Sequence, residues 1–371
     1  MFLNYCRLIL SLTLVAALGS INSLYAQDFP VRPIKLVIPQ APGSGADLVG
    51  RMMAEYMTNF LKQSVIVDNK PGANGIIASQ FVQREQPDGY TLMLTSVSLV
   101  SFNQFLYKNV PYDPLKDFTF VAPVADAGFV LIASTNSGVK SWEDLLKRAK
   151  AKPDGLTFAS AGLGNSTHLY SEMVAMRSGI KLRHIPYKSS GPALLAVVGG
   201  EVDLMTVTTA TGLSQIKAGK VVALAQSGDT KSPQLADLPL LKDLAPSLPA
   251  LPGWYALIGP AKMDTKITQK LALAVNQFLM DPSMKQKLID QFLFPIPGTS
   301  ADIQKRAENE ARIWGTFIGD LKIQIDEMGD QHVMTSIETP MRADAFDLSA
   351  DEKVAKIETH FAAIMDILGL D

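Results

Sequence analysis

The chain has 371 residues, a formal net charge of −2 at pH 7 and a single cysteine, Cys6. Because it has no block of basic residues, and no basic residues interleaved with aromatic ones, the composition argues against a nucleic-acid partner. Beyond Cys6 the chain can form neither disulfides nor cysteine-based metal sites or nucleophiles. Its length is ample for two domains that are stabilised by core burial.

The start of the chain has the organisation of a secretory signal peptide. Met1 to Arg7 carry one positive charge, Leu8 to Leu18 are almost wholly apolar, and a small residue, Ala26, precedes a plausible cleavage site. The apolar run is short for a membrane span, so we expect residues 1–26 to be removed on export. Cys6 precedes the apolar run, which argues against a lipid anchor.

A strand, a loop of small residues and a helix follow. Ile34 to Pro39 form the predicted strand, Ala41 to Asp47 the loop, and the helical pattern is carried by Leu48, Met52, Tyr56 and Phe60. Small residues at such a turn leave backbone N–H groups uncovered, and the helix dipole adds partial positive charge there. This combination favours a carboxylate or another anion.

The alternation of strands and helices continues along the chain. Strands are predicted at 65–67 and 91–94, with a glycine turn at 71–75 and a helix at 76–84 between them. A second unit contains strands at 156–159, 184–187 and 203–207, with a second glycine and serine loop from Ser160 to His168. The pattern predicts parallel sheets flanked by helices, with both loops facing one cleft at the carboxyl ends of the strands. The alternative is that both loops are ordinary turns.

The chain is predicted to cross between two domains and return. The apolar runs 120–124 and 129–133 indicate the first crossing, and Val221 to Gln226 indicates the return. We expect domain 1 to comprise residues 27–124 and 228–330, and domain 2 to comprise 125–227. Pro233 to Pro252 is predicted to be an extended surface connection, and Lys266 to Met280 is predicted to be a helix.

Residues 331–371 are predicted to be a C-terminal extension with an amphipathic helix. One apolar stripe runs along it, formed by Val354, Ile357, Phe361, Ile364, Met365 and Leu368. We expect this stripe to pack on its own domain, and dimerisation or docking of a partner is the alternative.

Enzyme motifs are mostly missing. The chain has no phosphate-binding loop of the G-x-x-x-x-G-K-[ST] type and no G-x-S-x-G nucleophile elbow. Ser166 and His168 are two residues apart at a predicted helix start, where their side chains would diverge. The four histidines lack the spacing of metal ligands. We therefore expect no catalytic residues, no metal and no other cofactor.

Four charged or aromatic positions have open interpretations. Asp47 is expected to cap the first helix rather than to contact a ligand, because a carboxylate would repel an anion. Asp203 is equally consistent with a turn residue and with a partner for a ligand amine. Tyr187 and Lys188 could reach the cleft, although Lys188 could also be solvated.

The motifs resemble, in order, those of the Bug family, the extracytoplasmic solute receptors of tripartite tricarboxylate transporters. The resemblance covers Phe29 to Phe317 and rests on segments 33–39, 41–47, 68–75, 87–92, 111–118, 160–169, 186–188, 191–194 and 199–203. It implies an α/β fold: a two-domain periplasmic binding protein of type II, a Venus flytrap with a mostly parallel sheet flanked by helices in each domain.

The resemblance implies a monomeric periplasmic receptor that captures a small carboxylic acid and delivers it to membrane transporter subunits. Dicarboxylates, tricarboxylates, amino acids and aromatic acids all remain open as ligands. One alternative is a sensor that serves a signalling partner. Another is a secreted hydrolase that uses Ser166 and His168.

Carried over by position, the expected ligand contacts come from both domains. They are Pro42, Gly43, Ser44, Gly45, Asp47, Thr95, Ser96, Ser160, Gly162, Gly164, Asn165, Ser166, His168, Tyr187, Lys188 and Asp203. Ser44, Asn165 and Ser189 depart from the usual residues of the family, so typical members do not fix the ligand.

Overall fold

The structure is a computed structural model that describes residues 29–152, 155–228, 231–245 and 253–325. All of them belong to one compact unit. The predicted signal peptide, residues 1–26, and the predicted C-terminal extension, residues 331–371, lie outside the described residues.

Strands and helices alternate along most of this range. The strands are β1 Ile34–Ile38, β2 Val65–Asn69, β3 Thr91–Ser96, β4 Phe118–Ala127, β5 Phe129–Ser134, β6 Leu156–Ser160, β7 Leu182–Pro186, β8 Leu204–Thr208, β9 Val221–Gln226, β10 Gly253–Pro260 and β11 Leu293–Pro295. The helices are α1 Gly45–Leu61, α2 Ile76–Gln83, α3 Asn103–Leu106, α4 Trp142–Ala151, α5 Ser166–Ser178, α6 Ser190–Gly199, α7 Thr209–Lys217, α8 Leu241–Leu244, α9 Thr265–Met280, α10 Pro282–Asp290 and α11 Ser300–Leu321.

The strands form two sheets. The six-stranded sheet has the order β11-β4-β10-β3-β1-β2, and the five-stranded sheet has the order β7-β6-β8-β5-β9. We call the six-stranded sheet with its helices the first lobe, and the five-stranded sheet with its helices the second lobe. Gly128 lies between β4 of the first sheet and β5 of the second. The domain boundaries given above stay a prediction.

Both sheets are mixed. The strands β2, β1 and β3 run parallel, as do β7, β6 and β8. In contrast, β10 runs antiparallel to β3 and β4, and β5 runs antiparallel to β8 and β9. The parallel character that the sequence predicts holds for the strand–helix–strand units. The strands β4, β5, β9 and β10 pair antiparallel instead. They lie on either side of the connections between the sheets, and antiparallel pairing needs no crossover helix.

Two local predictions need correction. Val221 to Gln226 is the edge strand β9 of the second sheet, so the return to the first sheet comes after it. The segment from Pro233 is not simply extended, because it contains a short 3₁₀ helix at Pro233–Leu235 and the helix α8. Buried Leu240 and Leu241 fix this segment to the protein. Residues 246–252 lie outside the described part.

Helix α1 is confirmed, but its buried face is rotated by one position. The buried residues include Val49, Met53 and Met57, whereas the predicted stripe member Phe60 is exposed. The other members of that stripe pack at the margin of the same core. Helix α9 is confirmed at Thr265–Met280, with the carboxylate of Asp264 accepting hydrogen bonds at its start.

One hydrophobic core cluster crosses from one lobe to the other. Tyr170 of α5 lies 4.4 Å from Phe129 and 5.2 Å from Trp314 of α11, measured between ring centroids. Trp314 is also 4.4 Å from Phe102 of the first lobe. The middle of α5 therefore packs against the first lobe, although the helix begins at the second loop.

Candidate functional site

A cavity of about 540 Å³ lies between the two lobes. It is bordered by the residues that follow or end β1, β3, β6, β7 and β8, which is the edge where open α/β sheets place their ligands. The volume is in the usual range for a site that takes a small molecule.

Nine of the expected contacts line this cavity. They are Pro42, Gly43, Ser44, Gly45, Ser96, Gly162, Asn165, Ser166 and Lys188. The other seven do not appear in its lining: Asp47, Thr95, Ser160, Gly164, His168, Tyr187 and Asp203. For the first group, contact with a ligand stays a prediction. For most of the second group, the hydrogen bonds show a supporting role.

The loop before α1 is held by a reciprocal cap. The hydroxyl of Ser44 accepts the N–H of Asp47 at 3.2 Å, and the carboxylate of Asp47 accepts the N–H of Gly43 at 2.9 Å. The same carboxylate also accepts from Arg51 and Asn69, at 2.9 Å each. Burial alone would raise the pKa of Asp47, but these donors outweigh it and lower the pKa below its ordinary value. Asp47 thus holds the loop, as the capping interpretation predicts.

This capping leaves two N–H groups of the first turn of α1 uncovered. The N–H of Leu48 bonds to the carbonyl oxygen of Ser44, and Asp47 is capped by the Ser44 hydroxyl. Among the described residues, no acceptor is recorded for the N–H groups of Gly45 and Ala46. Gly45 lines the cavity, so the positive end of α1 is directed to it.

The start of α5 is built in a similar way. The side-chain oxygen of Asn165 accepts the N–H of Thr167 at 3.0 Å, and its backbone carbonyl accepts those of His168 and Leu169 at 3.0 Å. The N–H of Ser166 has no recorded acceptor in the described part of the chain, and Ser166 lines the cavity. The two lobes therefore each present a helix N-terminus to the same space.

Two stacked histidines, His168 and His184, hold the second loop through hydrogen bonds. Their ring centroids are 3.9 Å apart. The Nδ1 atom of His168 accepts the N–H of Gly164 at 3.2 Å. His184 Nε2 shares a 2.6 Å hydrogen bond with the hydroxyl of Ser160, which accepts the N–H of Gly162 at 3.2 Å. Burial, with a smaller contribution from the charge of His168, lowers the pKa of His184 to about 2. It therefore stays neutral at ordinary pH.

The hydrolase alternative gains nothing from this geometry. His168 uses Nδ1 for Gly164, and its Nε2 faces Glu172 at 3.6 Å. The hydroxyl of Ser166 instead donates to the side chain of Asn165 at 3.4 Å. No hydrogen bond joins Ser166 to His168 among the described residues, so the serine lacks the adjacent base that nucleophilic catalysis requires.

Asp203, Tyr187 and Thr95 are expected contacts that do not line the cavity. Asp203 accepts the backbone N–H and the hydroxyl of Thr157 at 2.8 and 2.9 Å, which ties β8 to β6 and matches the turn interpretation. The N–H of Tyr187 donates to the carbonyl oxygen of Ser160. The hydroxyls of Thr95 and Ser96 are buried and have no partner in the described residues, and that of Ser96 is at the cavity wall.

Sequence reasoning did not assign the floor and rim of the cavity. Phe129, Trp254 and Tyr255 line its floor, and the N-terminal residues of α6 and α7 line another part. Trp254 and Tyr255 belong to β10, which lies between β3 and β4 in the first sheet. A long-range antiparallel pairing of this kind leaves no local trace in the sequence.

A buried ionic network lies behind Trp254. Its indole N–H donates to Glu310 at 2.7 Å, and Arg306 contacts both Glu310, at 2.8 Å, and Asp126 of β4, at 2.6 Å. Burial outweighs the neighbouring donors and raises the pKa of Glu310. The network joins α11, the last helix of the described residues, to the strand that precedes Gly128 and to Trp254 in the cavity lining.

Comparison with known proteins decides the family. A family model described as the tripartite tricarboxylate transporter family receptor matches residues 49–323. The chain belongs to this receptor family. The second loop falls within the match, whereas the first loop, residues 41–47, ends just before it begins. The resemblance to Bug proteins is confirmed.

Relatives of known name or structure agree. Protein BugT of Bordetella pertussis is 30% identical over 306 residues, which is 82% of this chain and 94% of BugT. The R. palustris protein Rpa4515 with adipate has a TM-score of 0.75 at 28% identity and covers 79% of this chain and 98% of its own. MatC from Rhodopseudomonas palustris with bound malate has a TM-score of 0.72 at 26% identity, covering 78% and 100%. The two-lobed α/β binding-protein fold of this receptor family is thereby confirmed.

No helix among the described residues has the length and hydropathy needed to cross a membrane. No group of three or more histidine, cysteine or acidic side chains within the same residues is placed to hold a metal ion.

The neutral His184 predicts a loss of stability in mild acid. Below about pH 6.5 the unfolded chain gains a proton at this residue that the folded chain does not take up, so the free energy of unfolding falls with pH. Between pH 7.5 and pH 5 we expect a decrease of at most about 2 kcal/mol from His184. Urea unfolding at both pH values measures it. His184→Gln, which can still hydrogen-bond the hydroxyl of Ser160, should remove this part of the decrease. Equal pH dependence in both proteins contradicts the assignment.

The network behind Trp254 predicts a large effect of Glu310→Ala. The substitution leaves the buried indole N–H without its acceptor and Arg306 with one carboxylate fewer, so we expect a loss of about 2–3 kcal/mol in the free energy of unfolding. Urea unfolding checks this value. Glu308→Ala, on the exposed side of the same helix, is the matched control and should change stability by less than about 0.5 kcal/mol. Equal effects of the two variants would show that the network does not stabilise the fold.

Proposed function

We propose that the chain is a periplasmic receptor that closes on a small carboxylic acid and delivers it to the membrane subunits of a tripartite tricarboxylate-type transporter. One observation carries the proposal: two helix N-termini, one from each lobe, direct uncovered N–H groups into one cavity. The export step rests on the signal peptide that the first 26 residues predict.

The N–H groups of Gly45, Ala46 and Ser166 are the proposed donors to a carboxylate. Hydrogen bonds from backbone N–H groups to an ionised acceptor are about twice as strong as those between neutral groups. The aligned dipoles of α1 and α5 add to the attraction without a paired arginine. The donors belong to different lobes, so a carboxylate bound to both favours the closed arrangement.

The site supports capture rather than turnover. A hydrolase needs a nucleophile with a base in hydrogen-bond reach, and the serine and histidine residues of the second loop are engaged in holding that loop. No observation favours a signalling role over transport, and the family is one of transporter receptors.

The charge and polarity of the cavity wall limit the class of acids that can bind. Among the described residues that line it, Lys188 alone carries a charge, and this side chain is exposed. Leu99, Tyr107, Phe129 and Trp254 contribute apolar surface. Burying a charge without a partner costs several kcal/mol, so a third carboxylate finds no compensation here. We propose acids with one or two carboxylates and an apolar body. Adipate and malate, bound by the two structural relatives, carry two carboxylates.

A thermal-shift panel tests the ligand class. Adipate, malate, benzoate and citrate are added at equal concentration, and the melting temperature is recorded. We expect adipate or benzoate to raise the melting temperature most and citrate least, because citrate carries a third carboxylate. Tighter binding gives a larger shift, since a ligand at ~100 times its dissociation constant adds about 2.7 kcal/mol of stability. The largest shift with citrate would refute the proposed limit on ligand charge.

Gly45→Val tests the first loop. Gly45 does not have a positive φ, but a Cβ there would lie 3.0 Å from the hydroxyl oxygen of Tyr255, and the added methyl groups would cover the N–H groups of the turn. We expect the acid that gives the largest thermal shift to bind at least about tenfold more weakly. Isothermal titration calorimetry measures the affinity. Gly319→Val in α11, where a Cβ meets nothing within 4 Å, is the control and should bind normally. Unchanged affinity of the Gly45 variant would remove this loop from the site.

A further inference from the structure

Asn74 of the first lobe makes a direct hydrogen bond to the loop of the second lobe. Its side-chain Nδ2 donates to the carbonyl oxygen of Gly164 at 3.0 Å, across 90 residues of sequence. The same nitrogen donates to the side-chain oxygen of Asn103 at 2.8 Å. Both hydrogens of this amide are therefore used, one within the first lobe and one between the lobes.

The first lobe fixes Asn74 in the position that this bond requires. Asn74 has φ 47° and ψ 38°, a left-handed conformation that asparagine tolerates better than most residues. The buried side chain of Asn103 donates to the carbonyl oxygen of Asn74 at 3.1 Å and to the hydroxyl oxygen of Tyr112 at 3.0 Å. Tyr112 in turn donates to the carbonyl oxygen of Leu99 at 2.9 Å. This chain of hydrogen bonds holds the amide ready for the second lobe.

The acceptor also depends on its conformation. Gly164 has φ +71°, and a Cβ there would lie 2.9 Å from Leu106 Cδ1 and 3.1 Å from Ile325 Cδ1 of the first lobe. The N–H of Gly164 is already bound by His168. Its carbonyl is free to turn toward Asn74, and the next residue, Asn165, caps α5. A bond to Gly164 therefore fixes the N-terminus of α5 against the first lobe.

We propose that Asn74 is a positioning residue for closure. Its hydrogen bond to Gly164 forms as the lobes come together and holds the uncovered N–H of Ser166 over the cavity. The bond is neutral, so its contribution does not depend on the charge of the bound acid. A neutral hydrogen bond of ordinary strength changes the closed-to-open ratio about two- to tenfold. The consequence for affinity rests on the proposed function, but the bond and its effect on the lobes do not.

The distance between the lobes tests the proposal without any ligand. Spin labels are attached in a Cys6→Ser background at Glu55→Cys in α1 and Lys147→Cys in α4, both exposed positions on helices of different lobes. Pulsed electron paramagnetic resonance then gives the distance distribution. Asn74→Gly removes the amide and keeps the left-handed backbone, so we expect the ratio of short to long distances to fall about two- to tenfold.

Two further variants make the result specific. Ala73→Gly places a glycine at a neighbouring residue with φ 45°, and should leave the distribution unchanged if backbone flexibility is not the cause. Asn74→Asp keeps the size of the side chain but directs a carboxylate at the carbonyl oxygen of Gly164, and should lower the ratio at least as much as the glycine variant. Thermal melting of each variant shows that it is folded.

Three results would overturn the proposal. The first is a distance distribution of both Asn74 variants that equals that of the unsubstituted protein, whether or not their melting temperatures fall. The second is an unliganded, unsubstituted protein that already shows long distances alone. The third is an Ala73→Gly variant that opens the lobes as much as Asn74→Gly.

Discussion

The structure depends on backbone N–H groups for which no acceptor is recorded among the described residues. Helices α1 and α5 begin at opposite sides of one cavity, and each leaves N–H groups of its first turn uncovered. An unpaired N–H group in a closing cleft is costly, so an anion that accepts from both helices stabilises the closed form. A site of this kind needs no positive side chain close to the bound acid. This accords with the described residues of the lining, among which Lys188 alone is charged and is exposed.

The other polar groups around the cavity serve to hold those donors. Asp47 is saturated by donors of its own lobe, and the stacked pair of His168 and His184 fixes the second loop through hydrogen bonds to its backbone and to Ser160. Asn74 connects the glycine turn of the first lobe directly to the second loop. The carboxylate of Glu310 likewise lies outside the cavity lining and is paired with Arg306 and the indole N–H of Trp254. The cavity can therefore be both polar at its loops and nearly free of formal charge.

Local signals in the sequence were sufficient for the strand–loop–helix units. The small residues before α1 and α5 predicted both loops, and both line the cavity. Pairings between distant strands were not predictable, so the antiparallel course of β10 and the floor at Trp254 and Tyr255 were missed. The role of Asp203 stayed open because only the fold brings Thr157 to it. Likewise, no local pattern distinguishes the glycine turn that holds Asn74 from a simple connection.

Amide chemical shifts test the central claim most directly. The ¹⁵N-labelled protein is titrated with the carboxylic acid that gives the largest thermal shift, and the backbone resonances are followed. We expect the N–H signals of Gly45, Ala46 and Ser166 to move downfield together with one dissociation constant, because all three donate to the same carboxylate. Saturating acid that leaves these three signals in place, while other residues shift, would contradict it.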